Sequence, residues 1–121
     1  MIRGIHHVQL TVPHGAEEEA RRFYRLVLGL PEIQKPAGLT GRGGLWLQVG
    51  DRQVHIGVED GVNRSATKAH IAYEVSNLQE WNVLLPSGVS ASRGRQGQGG
   101  RGRVDAVRAS ARTAPDPAAR R

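Results

Sequence analysis

Cysteine is absent from this chain of 121 residues, which excludes a disulfide framework, a thiolate metal site and a cysteine nucleophile. No apolar run approaches the length of a membrane span. The first ten residues lack the charged and apolar regions of a secretory leader. These absences predict a soluble cytoplasmic protein, without a membrane partner, that has one modest hydrophobic core.

The net charge of +6 comes from the last quarter of the chain. Residues 92–121 hold eight of the 17 Lys and Arg residues and two of the 11 Asp and Glu residues, so residues 1–91 are neutral. The basic excess therefore gives no reason to interpret the folded part as a nucleic-acid binder. The basic segment also lacks aromatic residues for base stacking, and it predicts only weak, salt-sensitive contact with nucleic acid.

Hydrophobic periodicity predicts a mixed α+β chain with the element order βαβββ, followed by a second βα. The predicted strands alternate apolar and polar residues, and the first predicted helix ends at Gly29, ahead of Pro31. In chain order we predict strand 5–12, helix 16–28, strand 32–35, a hairpin of strands 44–49 and 53–58, strand 69–75 and a helix that begins near residue 76.

The periodic pattern fails beyond Pro86. We therefore predict a domain at 1–91, made of a complete module at 3–67 and a partial second module at 68–91. Residues 92–121 form a basic tail rich in Gly, Arg and Ala, which we predict to be disordered because it has little apolar surface to bury. The abrupt change in composition leaves two origins open, a natural tail or a shifted reading frame.

Three of the five histidines lie in three separate predicted strands: His7, His55 and His70. The period of two residues places each on the polar face of its strand, opposite a more apolar face. A neutral imidazole is a good ligand for Zn, Fe, Ni and Mn ions. A single histidine on a polar strand face is usually only solvated, so the interpretation depends on all three together. His6 lies on the opposite face, and we predict that it packs in the core.

The order of four segments resembles the vicinal oxygen chelate superfamily, which includes glyoxalase I, extradiol dioxygenases and bleomycin-resistance proteins. The segments are "IHHVQLTV", "RRFYRLVLGLPE", "GDRQVHIGVE" and "KAHIAYEVSNLQEW". The resemblance implies a fold of the glyoxalase and bleomycin-resistance type, in which two βαβββ modules form an open cleft. Metal-dependent members of that superfamily hold one divalent ion in this cleft.

By the same resemblance, His7 and His70 match the ligands on the first strand of each module, and His55 matches a position that can add a third. The chain has no segment that matches the family's final-strand glutamate. The implied function is that of a metal-dependent lyase or dioxygenase, with the divalent ion (Zn, Fe, Ni or Mn) acting as a Lewis acid on a small oxygen-bearing substrate. Glu59 or Glu74 is the candidate catalytic base.

A second function stays open, that of a non-catalytic protein of the bleomycin-resistance type that sequesters a small molecule in the cleft without metal. Either function is compatible with a homodimer. We expect self-association because a second module that stops after βα leaves a sheet edge unpaired.

Overall fold

The computed structural model describes residues 1–84, 89–95 and 103–110, and it divides into two compact units. One unit comprises Met1–Val62, and the other begins at Asn63. Over the described ranges, no helix is both long enough and apolar enough to cross a membrane. The elements of the first unit are β1 (His7–Val12), α1 (Glu17–Arg21), a π-helical continuation (Arg22–Val27), β2 (Glu32–Ile33), a 3₁₀ segment (Ala37–Arg42), β3 (Leu45–Val49) and β4 (Arg52–Val58).

The first unit contains a four-stranded sheet in the order β1-β4-β3-β2. Strand β1 is parallel to β4, and the other neighbours are antiparallel. Strands β3 and β4 form a hairpin that turns at Gly50 and Asp51, where Gly50 has a φ of 57°. A positive φ at the first turn residue is what a type II′ hairpin requires, and glycine adopts it without steric penalty. The predicted βαβββ order of the first module is confirmed.

The helix of the first unit widens after its first turns. The backbone N–H of Leu28 donates to the carbonyl of Phe23, five residues back, at 3.0 Å. Gly29 then takes a φ of 71°, which ends the helix as the sequence predicts.

The core of this unit is formed by the apolar face of the helix and one face of the sheet. On the sheet, Leu45 is paired with Ile56 and Leu47 with Val54, and all four side chains are buried. Successive side chains of a strand point to opposite faces, so the residues between them lie on the other face of the sheet. The buried helix residues, together with the last residues before the helix, are Val12, Ala16, Ala20, Phe23, Tyr24 and Leu28.

The second unit has fewer helices and strands than the first over the described residues. It contains β5 (His70–Val75), α2 (Leu78–Leu84), β6 (Val89–Arg95) and β7 (Arg103–Ser110), with an antiparallel sheet in the order β5-β7-β6. Helix α2 is capped by Asn77, whose Oδ1 accepts the N–H of Gln79 at 3.1 Å. Over the described residues this unit has one strand fewer than the first, so the second module is incomplete.

The structure differs from the predicted disorder of 92–121 at two places. Part of β6 and all of β7 lie in that range, and β7 pairs with β5 from His70 to Val75. The reason is that strand pairing satisfies backbone N–H and C=O groups, a contribution that side-chain composition does not reveal. Pairing with β7 also covers the edge of β5 that the sequence analysis leaves open. The remaining residues of the predicted tail, 96–102 and 111–121, lie outside the described part of the chain.

Candidate functional site

A row of three side chains crosses the face of the first sheet that lies opposite the core. Gln9 on β1 is the register partner of His55 on β4, and His55 is also the partner of Trp46 on β3. Register partners on adjacent strands project to the same face with their Cβ atoms close together. The row therefore arises from three strands that are distant in sequence and adjacent in the sheet.

His55 lies in the middle of a stack of rings. Its centroid is 3.8 Å from that of Trp46, with 2° between the planes, and 4.2 Å from that of His7, with 17° between the planes. The side chain is consequently buried, with 5% of the residue exposed. The sequence predicts that His55 is accessible on the polar face of its strand. The structure differs because β4 is an interior strand whose two neighbours each bring a ring against the imidazole.

The surroundings of His55 favour its neutral form. Desolvation by burial is the largest cause of a lowered pKa, and the charges of His7 and His6 lower the pKa further. Nε2 lies 2.9 Å from Oε1 of Gln53. Since an amide oxygen only accepts hydrogen bonds, Nε2 carries the proton and Nδ1 the lone pair.

The lowered pKa of His55 predicts how the free energy of unfolding depends on pH. Above the ordinary histidine value of about 6.5, the ring is neutral in both states and the unfolding free energy is unaffected. As the pH falls below that value, the unfolded chain binds a proton that the folded ring resists, so the protein becomes less stable. Urea unfolding at pH 7.5 and 5.5 should show this loss in the wild type, with a smaller loss in His55→Gln. A His14→Gln control should behave as the wild type, and an equal pH response in His55→Gln would contradict the prediction.

A cavity of about 260 Å³ opens on this face of the first unit; we call it the sheet cavity. Gly57 contributes to its open space, because a Cβ at that position would lie 2.9 Å from Nε2 of Gln9. The residues that line the cavity are Gln9, Lys35, Leu39, Arg42, Gly43, Trp46, His55, Ile56, Gly57 and Val58.

The rim of the sheet cavity is held by two polar contacts at the end of the 3₁₀ segment. Nζ of Lys35 donates to the carbonyl oxygen of Gly43. The N–H of Gly44 donates to Oε2 of Glu17 at 2.9 Å. The end of the segment that carries Leu39 and Arg42 is thereby tied to Lys35, which follows β2, and to helix α1.

The sequence analysis does not single out Gln9, Lys35 or Arg42, and it gives Trp46 no role. The available signal was the period of two residues, which places Gln9, Trp46 and His55 each opposite the more apolar face of its predicted strand. The register that aligns them comes from the structure. The two cations come from outside these strands, and no periodicity indicates that they approach the cavity.

The predicted metal ligands lie in both units. His7 is exposed at the start of β1, and the structure brings it against His55. His70 is exposed at the start of β5, in the second unit. His6 precedes β1 and is exposed, so its predicted packing in the core is wrong. Its Nδ1 lies 2.9 Å from Nδ1 of His7.

The two candidate bases are both exposed. Glu59 follows β4, and its N–H donates to the carbonyl of Val12 at 2.9 Å; Glu74 lies on β5 in the second unit. Over the residues that the structure describes, no group of three or more histidine, aspartate and glutamate side chains is arranged to hold a metal ion.

Comparison with solved structures identifies the family. A crystal structure of a Bacillus anthracis protein assigned to the glyoxalase family is 42% identical in sequence, with a TM-score of 0.66 over 78% of this chain and 77% of that one. The chain belongs to the glyoxalase family. This membership places it in the vicinal oxygen chelate superfamily and confirms the predicted α+β fold class.

The other comparisons add nothing to this glyoxalase-family assignment. An integron cassette protein from Vibrio cholerae is 16% identical, with a TM-score of 0.49 over 87% of this chain and 84% of that one. No family model and no curated protein matches the sequence.

The placement of His55 bears on a metal centre in this glyoxalase-family chain. Imidazole nitrogens donate to a metal along lone pairs in the ring plane, at about 2.0–2.1 Å. The rings of His7 and His55 are nearly parallel and 4.2 Å apart, so their lone pairs do not converge on one point. As placed, His55 does not fit as a ligand to an ion shared with His7, and it forms part of the cavity wall instead.

Proposed function

We propose that this glyoxalase-family protein binds a small oxygen-bearing organic molecule in the sheet cavity. The observation that carries the proposal is the cavity itself, about 260 Å³ in volume and lined by an indole, an imidazole and an amide beside aliphatic side chains. Ligand pockets typically have volumes of about 300–1,000 Å³, so this cavity suits a small ligand. An apolar cavity of about 150 Å³ is already large enough for benzene.

The residues that line the cavity supply both the apolar surface and the polar groups of a small-molecule site. Trp46, Leu39 and Val58 offer apolar surface for the body of a ligand. Gln9 adds an amide that can donate to a ligand oxygen or accept from a hydroxyl, and His55 offers a neutral ring. A mostly apolar wall with a few polar groups is the common composition of a small-molecule site.

Filling the sheet cavity should remove binding. In Gly57→Val the added side chain collides with the amide of Gln9 and occupies the cavity, so ligands should no longer shift the resonances of Trp46 and Gln9. We suggest ¹H–¹⁵N NMR titrations with benzoate, benzamide, catechol and phenylphosphonate, each repeated with EDTA. The expected result is saturable shifts at the cavity residues for at least one probe, with or without chelator, and their loss in Gly57→Val.

Gly38→Val is the matched control, because Gly38 does not line the cavity and a Cβ there meets no atom within 4 Å. Its titrations should resemble those of the wild type. The proposal is refuted when none of the four probes shifts the cavity residues of the wild type at millimolar concentration, or when Gly57→Val folds and still binds as the wild type does.

The second candidate function is metal-dependent chemistry, and the hydrogen bond of His70 favours it. Nδ1 of His70 lies 2.9 Å from the carbonyl oxygen of Lys68. Because a carbonyl only accepts, Nδ1 is the protonated nitrogen and Nε2 carries the lone pair. A ligand histidine is commonly oriented by such a bond from its other nitrogen to a backbone carbonyl.

For this second function, His7 and His70 are the candidate ligands that the superfamily resemblance implies. None of the described residues forms a hydrogen bond with Nε2 of His7. As an imidazole nitrogen, this atom is a ligand for the same ions as Nε2 of His70. A bound divalent ion would supply Lewis-acid polarisation of a substrate oxygen. Glu59 and Glu74 stay the candidate bases, and the homodimer and the cytoplasmic location stay predictions.

A further inference from the structure

The charged residues that line the sheet cavity are both basic. Lys35 and Arg42 line it, and none of its lining residues is a carboxylate. The carboxylate next to the rim, Glu17, does not line the cavity and already accepts the N–H of Gly44 at 2.9 Å. The cavity therefore has a positive potential that no acidic group of its own wall neutralises.

The two cations retain donors for a ligand. Lys35 is half-buried, and its ammonium, which has three N–H donors, uses one on the carbonyl of Gly43. Arg42 is exposed, and over the described residues its guanidinium has no ion pair, which leaves its planar set of donors available. A carboxylate or a phosphonate is the kind of group that such donors bind.

The apolar part of the wall requires a ligand that also has apolar surface. Trp46, Leu39 and Val58 would gain little from a fully hydrated inorganic ion, since their contribution comes from the apolar area that a ligand covers. An occupant that satisfies both parts has a small apolar body and one oxyanion.

We infer that the sheet cavity selects small organic anions, with Lys35 and Arg42 binding the oxyanion and the Trp46 side of the wall contacting the apolar body. This inference rests on the proposed binding function and narrows it to a ligand class. It also places the determinant of specificity in the connection between β2 and β3, which carries Lys35 and the 3₁₀ segment.

Benzoate and benzamide form a matched pair of probes, equal in shape and different in charge. NMR titration of the wild type should give an affinity for benzoate at least about tenfold higher than for benzamide, the size expected for one charge-assisted hydrogen bond. Arg42→Gln should weaken benzoate binding by about tenfold and leave benzamide binding unchanged. Lys35→Gln, which also removes the contact with the Gly43 carbonyl, should weaken benzoate binding more than benzamide binding. The benzoate affinity should also fall as salt is raised.

Arg3→Gln is the control for net charge, because Arg3 is exposed in the same unit and does not line the cavity. It should leave both affinities as in the wild type. Equal binding of the two probes, or benzoate binding that survives both cavity substitutions, overturns the inference and leaves the proposed binding function intact. If none of the four probes (benzoate, benzamide, catechol and phenylphosphonate) binds, the proposed function is overturned as well.

Discussion

Gly44→Ala should lower the free energy of unfolding by at least about 3 kcal/mol, and the reason is backbone geometry. Gly44 has a φ of 80°, a conformation that costs other residues about 1–2 kcal/mol. A Cβ at this position would also lie 2.1 Å from the carbonyl oxygen of Ile56, an atom of the interior strand β4. Because that oxygen belongs to the paired β3–β4 hairpin, the backbone at residue 44 must move away from β4 to make room for the methyl group. Urea unfolding followed by circular dichroism measures the loss of stability.

Gly38→Ala is the control within the same connection. A Cβ on Gly38 meets no atom within 4 Å and its φ is not positive, so we expect a change within about 0.5 kcal/mol. Equal unfolding midpoints for the two variants would show that Gly44 does not approach β4 as the structure has it.

His7→Ala and His70→Ala should each remove most of the metal from protein purified under metal-replete conditions, if the second candidate function is correct. The resemblance to metal-dependent members of the superfamily assigns both residues to the ligand set, and losing one ligand should weaken affinity by at least about tenfold. Elemental analysis of the purified variants, with circular dichroism to verify folding, is the measurement. Both side chains are exposed, so the fold should survive.

His55→Ala tests whether His55 belongs to the predicted ligand set. His55 stacks between two rings and does not share a point of coordination with His7, so its loss should leave the metal content near that of the wild type. The exposed His14 provides a control that should also retain metal. A wild type that holds no metal, or His7→Ala and His70→Ala proteins that keep their full content, would count against metal-dependent chemistry in this chain.

The order of elements in the first unit and the family were accessible from the sequence. The turn at Gly50, the helix end at Gly29 and the alternation in the strands are local features, because backbone freedom and side-chain period act over a few residues. The strands at 89–95 and 103–110 were missed because their stability comes from pairing with partners elsewhere in the chain, which their own composition does not indicate.

Sequence by itself determined which face of each strand His7, Trp46 and His55 occupy, since the period of two residues fixes the direction of each side chain. Only the tertiary structure decided that His55 is buried, because its exposure depends on which strands flank β4 and in what register. The approach of Lys35 and Arg42 to one cavity was likewise decided in three dimensions, by contacts that tie the 3₁₀ segment to the rest of the first unit. Local periodicity carries no information about such contacts between distant segments, and the candidate binding site consists mainly of them.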